Sequence, residues 1–348
     1  MQASQMKAVP DLVFVSGTAA NVRQGSGTFV GIAALQASLR ALGSRVELVA
    51  PAAASPSAWR RLAFNWRLRG QAWPEGAAVI GFDWDGLFVP RSRIACIKGV
   101  LAEEMQFEHG VPRVRLWMQS RLERRRVRQA HRVLTTSRYA AAAIERRYGV
   151  PADRIRVVAE MLDVGAWERE LEQAPVVPDR PLTILCVAHL YPRKDVGTLL
   201  RATSRLPESV RLRIVGDGPE RKRLERMGGR ASFLGHIPRA ALLQEYRNAD
   251  VFCLPSRQEG FGIVLLESMA SGLPIVAARA AAIPEVVAEG TNALLFAPGD
   301  PGELADALQR LLADARLREQ MAAASRRHVR KFEAAVVAEQ FLAAISAG

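Results

Sequence analysis

Cysteine and lysine are both scarce in this 348-residue sequence, and no long apolar run escapes interruption by a charge. The three cysteines, Cys96, Cys186 and Cys253, are odd in number, far apart and without metal-ligand spacing. That excludes a disulfide framework and a cysteine-ligated zinc site, and it fits a reducing cytoplasm. Glu267 interrupts the apolar stretch 262–278, and the first ten residues hold no apolar core of the signal-peptide kind. Neither a membrane span nor an export signal is expected. What is present is the balance of a soluble globular protein, 49% hydrophobic and 24% charged, which excludes disordered, collagen-like and coiled-coil classes. At about 150 residues per domain, the length suggests two domains.

The formal charge is +13, yet 43 of the 48 basic residues are Arg and five are Lys, a bias that GC-rich coding produces alone. Before Ala174 there are 25 basic and 16 acidic residues (+9), and from it onward 23 and 19 (+4). A basic face on the first half suits an anionic membrane or a phosphorylated ligand. Without interleaved aromatics or a known motif, it gives no support to a nucleic-acid partner. The Arg run at 121–128 reads as a solvated helix face or as a patch for peripheral membrane contact. Lysines become informative where they fall beside loops.

Apolar runs of strand length alternate with helical patterns, which predicts parallel sheets covered by helices on both faces, twice over. Strands are expected at 12–16, 46–49, 77–81, 94–97 and 133–136, and then at 182–188, 212–215, 251–254, 274–277 and 293–296. Helices are expected at 28–42, 114–130 and 263–271. Residues 174–181 hold three prolines and no periodicity, and read as a linker between a first domain, 1–173, and a second, 182–332. The remainder, 333–348, reads as a helix able to return to the first domain.

Strand 212–215 runs into Gly216-Asp217-Gly218-Pro219, either a plain turn or a place where backbone approaches a ligand at the sheet's carboxyl edge. A sharper signal follows strand 251–254. Arg257-Gln258-Glu259-Gly260-Phe261-Gly262 is a glycine-rich turn opening a helix, and the free N–H groups and positive dipole end of a helix bind phosphate. Glu259 precedes the helix and Glu267 lies about one and a half turns inside it. A carboxylate in so apolar a helix is costly unless paired or hydrogen-bonded; a ligand's vicinal hydroxyls or an Arg would serve.

The segment from Glu259 to Pro274 resembles the glutamate-x7-glutamate region of retaining glycosyltransferases of family 4, which have the GT-B fold. The resemblance extends to Val187-Ala188-His189-Leu190-Tyr191-Pro192-Arg193-Lys194, Ile214-Val215-Gly216-Asp217-Gly218-Pro219, Phe233-Leu234-Gly235-His236-Ile237-Pro238 and Ile283-Pro284-Glu285-Val286-Val287. It implies two Rossmann-like domains with an interdomain cleft and a nucleoside diphosphate sugar as donor substrate, with no cofactor and no metal. By the same resemblance, Glu267 accepts from ribose hydroxyls, and Glu259 with the backbone of Gly260, Phe261, Gly262 and Ile263 meets the transferred sugar. Ile237 lies near the base, Gly216 among the donor contacts, and Arg193 and Lys194 neutralise the departing diphosphate. Preorganised cations there stabilise a charge that grows in the transition state. Two positions depart from the pattern: His189 stands where an Arg is common, and Ala281-Ala282 stand where two glycines are common.

In the first half, Gly25-Ser26-Gly27-Thr28 opens a helix, but eight residues separate it from strand 12–16, too many for a dinucleotide fingerprint. The resemblance makes this a loop over the donor phosphates, with Gly27 as the close contact. Asp83-Trp84-Asp85 reads as a metal-binding Asp-x-Asp, an Asx-type turn or a set of acceptor contacts in the cleft. Lys98, after strand 94–97, stands where the family often has a His near the donor sugar, and reads as a cleft cation or a surface lysine. The expected function is transfer of a sugar to an unidentified acceptor in envelope polysaccharide or glycolipid synthesis. A sugar-nucleotide epimerase of the same fold and an inactive binding protein are the alternatives.

Overall fold

Side chains along a strand alternate between the two faces of its sheet, and in this protein both faces are apolar, which is the condition for a buried parallel sheet. The computed structural model describes residues 11–17, 27–51, 58–90 and 92–346. The first half runs β1 (Leu12–Val15), α1 (Gly27–Ala41), β2 (Val46–Val49), α2 (Ala58–Arg67), β3 (Ala78–Phe82), β4 (Ile94–Ile97), α3 (Leu101–Glu104), α4 (Gly110–Gln129), β5 (Arg132–Thr135), α5 (Arg138–Tyr148) and β6 (Ile155–Val157). Then come α6 (Val164–Gln173), β7 (Thr183–Val187), α7 (Val196–Thr203), β8 (Arg211–Val215), α8 (Arg221–Arg226), β9 (Ala231–Gly235) and α9 (Arg239–Arg247). The chain closes with β10 (Val251–Leu254), α10 (Ile263–Ala270), β11 (Ile275–Ala278), α11 (Ile283–Val286), β12 (Ala293–Phe296), α12 (Pro301–Ala313), α13 (Ala315–Val329) and α14 (Ala334–Ser346).

Two six-stranded sheets result, ordered β2-β1-β3-β4-β5-β6 and β12-β11-β10-β7-β8-β9, and every pairing is parallel. Strand order reverses between β1 and β3 in the first and between β7 and β10 in the second. Ligands of open α/β sheets bind at such switch points, outside the carboxyl ends of the strands. Ten of the twelve strands among the described residues coincide with the apolar runs. The edge strands β6 and β9 were not expected, because Arg156 and Val157 face solvent and β9 is mostly half-buried, leaving no apolar run to read.

On one face of the first sheet, Leu12, Phe14, Ile80, Phe82 and Leu134 pack against Ile32 and Leu39 of α1 and Val337 and Phe341 of α14. On the other face, Val13, Val15 and Val79 meet Leu68 and Phe64, while Ala95, Ile97 and Val133 meet Val127, Ala140 and Ile144. Thus α2, α4 and α5 form one layer.

The expected linker lies elsewhere in the packing. Helix α6 precedes residues 174–181, yet its Val164, Trp167 and Leu171 are buried in the core of the second sheet beside Tyr246 and Phe252. Its apolar face decides this, since burying a Trp outweighs proximity in sequence. The chain therefore crosses ahead of α6, where Leu162 bridges Glu333 at the return crossing into α14.

Candidate functional site at the facing carboxyl edges

The turn after β7 and the turn after β10 flank the switch point of the second sheet, and the backbone ties them together. Arg257 N donates to Arg193 O at 2.8 Å. Within the first turn, Pro192, Arg193 and Lys194 form one turn of 3₁₀ helix, and Asp195 adopts φ 46° before α7. Lys194 Nζ lies 2.5 Å from Oε1 of Glu259, and both side chains are largely withdrawn from water. Arg193 reaches the other half of the molecule, 3.3 Å from Oε2 of Glu104, with its guanidinium over the Tyr191 ring.

Gly262 enters α10 with φ 94°, a left-handed conformation that glycine alone adopts cheaply, and no side chain caps the helix. The N-terminus of α10 is therefore open to an anion. Phe261 turns the other way: its ring is buried against Phe332, so only its backbone faces the turn. Ile263 and Ile237 are half-buried.

Glu267 accepts a hydrogen bond from Tyr246 Oη at 2.8 Å. Burial raises the pKa of Glu267, while the Tyr246 hydroxyl and the charge of Arg239 oppose the rise. Tyr246 is itself locked between Trp167 and Phe252. The sequence reading missed this partner, whose only trace was the Leu242-Leu243-Tyr246 face of α9.

Gly216 has a structural reason to be glycine: at φ 125° a Cβ would lie 1.9 Å from Ala188 O. It lets the turns after β7 and β8 touch. At His189, desolvation together with the charges of Lys194, Arg193 and His236 lowers the imidazole pKa. Ala281, where a glycine was expected, adopts φ 50° all the same, so the left-handed turn persists at the expense of strain.

The two halves meet through Gly260. Its carbonyl accepts from Thr136 Oγ1 at 3.0 Å and Ser137 Oγ at 2.9 Å, and a Cβ there would lie 2.3 Å from Lys98 O. Glu285 accepts from the backbone N–H groups of Arg138 and Tyr139 at 2.8 and 2.7 Å, capping α5 from the second half. Carboxyl edge thus faces carboxyl edge.

Two descriptions match this chain: Glycosyltransferase Family 4 over residues 25–165 and Glycosyl transferases group 1 over residues 168–328. The chain belongs to this glycosyltransferase family. The sulfoquinovosyl transferase SQD2 of Arabidopsis thaliana is 38% identical over 161 residues, covering 45% of this chain and 31% of the relative. The phosphatidyl-myo-inositol mannosyltransferase of Mycobacterium leprae is 40% identical over 158 residues, 43% and 42% of the two chains. A D-inositol 3-phosphate glycosyltransferase of Xylanimonas cellulosilytica is 34% identical over 223 residues, 58% and 53%. The chain spans between a third and a half, roughly, of the length of these curated relatives.

Solved structures match along nearly the whole chain. Sucrose-phosphate synthase of Thermosynechococcus elongatus superposes with TM-score 0.80 at 21% identity, covering 95% of this chain and 97% of that one. Anabaena HepE, in complex with UDP and glucose, gives 0.75 at 19%, covering 97% and 100%. At such identities the likeness shows the fold, which is GT-B.

The first half of the chain contributes fewer free groups than its sequence suggests. Asp85 is fully buried, and its carboxylate accepts from Gly17 N at 2.6 Å, from Arg61 Nη2 at 2.6 Å and from Asn65 Nδ2 at 2.8 Å. It is the keystone of a loop and not a cleft group. Asp83 lies 3.4 Å from Arg61, and desolvation raises its pKa despite that cation. Among the described residues, no cluster of three or more His, Cys, Asp and Glu forms a metal site.

Lys98 is paired as well. Nζ lies 2.8 and 2.9 Å from the two oxygens of Glu160, and the side chains are only 9% and 5% exposed. Burial works against the charge of Lys98, but the carboxylate outweighs it and the pKa is raised. Gly31 makes room for this pair, since a Cβ would meet Glu160 Oε2 at 2.6 Å. Gly27 is the first residue of α1, while Gly25 and Ser26 lie outside the described residues.

Proposed function

We propose that this chain transfers a sugar, with retention, from a nucleoside diphosphate sugar to an acceptor in glycolipid or envelope polysaccharide synthesis, and that it does so in the cytoplasm. The observation that carries the reading is the convergence on one switch point of Lys194, Arg193, Glu259 and the uncapped N-terminus of α10, with Glu267 deeper in the same helix. Each has a task in leaving-group departure. Glu267, with one oxygen oriented by Tyr246, accepts from ribose hydroxyls; the α10 amides and Lys194 meet the diphosphate as its negative charge grows.

Lys194 is held on Glu259 in the free protein, so a diphosphate arriving at the turn competes for a cation already in position. Glu259, charge-paired and adjoining Gly260, suits orientation of the sugar better than nucleophilic attack. No metal is needed for this neutralisation. The phosphatidyl-inositol named as acceptor of the Mycobacterium leprae mannosyltransferase supports a lipid-linked acceptor. Three buried, unpaired cysteines suit a reducing compartment.

A radiolabelled panel of nucleoside diphosphate sugars, incubated with chelator present, tests the reading. Nucleoside diphosphate release that falls in Lys194→Met supports it. Interconversion of the sugar nucleotide without release makes the chain an epimerase, and tight binding without turnover makes it a binding protein.

A further inference from the structure

The carbonyl of Gly260 is turned toward the first half of the molecule by two side chains from the turn after β5. Thr136 Oγ1 and Ser137 Oγ donate to it at 3.0 and 2.9 Å, and both residues are buried. A peptide group is planar and trans, so its N–H points opposite to its C=O. Two hydroxyls that draw Gly260 O toward the first half therefore aim the Phe261 N–H away from it. No backbone carbonyl among the described residues accepts from that N–H. Glycine lacks the Cβ that would restrict its own backbone angles, and Lys98 O, 2.3 Å from where a Cβ would lie, excludes one here. The peptide plane that follows Gly260 is thus held from outside.

The two hydroxyls are themselves held by the second half. Ser137 caps α5: its Oγ accepts from Ala140 N at 3.1 Å while its proton goes to Gly260 O. The two other amides of the same helix end, Arg138 N and Tyr139 N, donate to the two oxygens of Glu285, a charge-assisted contact at a positive dipole end. Glu285 lies in α11, whose Ile283 and Val286 are buried in the core of the second sheet. Ala282, just ahead of α11, donates its N–H to Glu259 O at 3.4 Å. Residues 136–139, α11 and the turn 259–261 therefore close a ring of hydrogen bonds in which the carbonyls of Glu259 and Gly260 are both fixed.

We propose that Thr136 and Ser137 are positioning residues for the donor turn: they set the Gly260–Phe261 peptide plane so that the Phe261 N–H faces an oxygen of the sugar nucleotide before it arrives, and Glu285 keeps them in place. A donor N–H oriented in advance needs no reorganisation when charge develops on the leaving group. This rests on the transferase reading above. It gives the first half a share in the orientation of a turn that belongs to the second.

Thr136→Val, Thr136→Ser and the double variant Thr136→Val/Ser137→Ala test it through three readouts: melting temperature, amide hydrogen exchange across residues 259–263 without ligand, and kcat and KM for a sugar nucleotide that the parent turns over. Thr136→Val should lower kcat about tenfold and the double variant about a hundredfold, with KM within about threefold of the parent. Exchange across 259–263 should quicken in both. Thr136→Ser keeps the hydroxyl and should restore the parent turnover and exchange. Thr136→Val leaves the α5 cap in place, so its loss of turnover should come without a loss of melting temperature. Parent-like kcat and exchange in both valine variants, equal losses in Thr136→Ser and Thr136→Val, or a fall in melting temperature alone would overturn the proposal. A parent that turns over no sugar nucleotide contradicts the transferase reading instead, and exchange across 259–263 then decides the positioning by itself.

Discussion

Lys194 and Glu259 join the two turns that flank the switch point of the second sheet, with Nζ 2.5 Å from Oε1. The pair fixes an ammonium and a carboxylate side by side at this switch point, both largely withdrawn from water, and in the proposed reaction the ammonium meets the leaving diphosphate. Removing the cation should therefore be felt in turnover. Lys194→Met is expected to lower kcat about a hundredfold or more, in the range seen when one preorganised transition-state donor is lost. Arg193→Ala should cost less, because Arg193 is drawn toward Glu104 of the first half, while Lys194 stands on the glycine turn itself beside Glu259. Single-turnover release of nucleoside diphosphate measures both.

Glu267 sets function against stability. Its folded pKa is raised by burial, so the ionised form is a cost to folding that appears as pH rises through that pKa and is absent below the ordinary carboxylate range. Glu267→Gln keeps an acceptor for Tyr246 and removes the charge. The variant should melt higher than the parent at neutral pH, with the advantage vanishing in acid. Thermal melts against pH report it, and an equal advantage at every pH would show that the charge is not the cause.

The Lys98–Glu160 pair changes how Lys98 can be tested. Lys98→Met leaves a carboxylate only 5% exposed without its partner, and breaking a buried pair costs about 3–5 kcal/mol. The double variant Lys98→Met/Glu160→Gln should recover most of the lost melting temperature. Turnover in the double variant then reads the cleft role alone: recovery to the parent rate makes the pair structural, and a persisting loss with a raised donor KM places Lys98 on the donor.

Ala281 sits at φ 50°, a conformation that costs a residue with a Cβ about 1–2 kcal/mol. Ala281→Gly should stabilise the protein by roughly 0.5–1 kcal/mol after the entropy of the added glycine is subtracted. Its turnover should match the parent, because the loop shape is already in place.

How far the sequence can be read follows from where its contacts lie. Residues 259–267 were legible because strand, glycine turn, helix and both glutamates are consecutive, so a single local pattern carries them. Tyr246, Glu160, Arg61 and Asn65 were not, since each acts on a partner 20 to 62 residues away. In sequence they look like ordinary helix or loop residues. Asp83-Trp84-Asp85 shows the opposite failure: the local pattern suggested a metal-binding pair, an Asx-type turn or acceptor contacts, and Arg61, Asn65 and Gly17 N take up Asp85 entirely. The crossing ahead of α6 was hidden for a related reason, because proline-rich composition marks a bend but not which sheet the preceding helix covers. Phe261 and Gly216 were read as donor contacts from local pattern, and packing turns the Phe261 ring inward on Phe332 and sets Gly216 against Ala188 O.

The most direct test of a donor site at this switch point is calorimetric titration of the parent, Lys194→Met and Glu267→Gln with a panel of nucleoside diphosphates in chelator. The account expects one nucleotide to bind the parent as a single site. Glu267→Gln should lose about 1.5–3 kcal/mol of that affinity, the worth of a charge-assisted hydrogen bond, and Lys194→Met should weaken it as well. Parent-level affinity in both folded variants would place the nucleotide elsewhere and contradict the account.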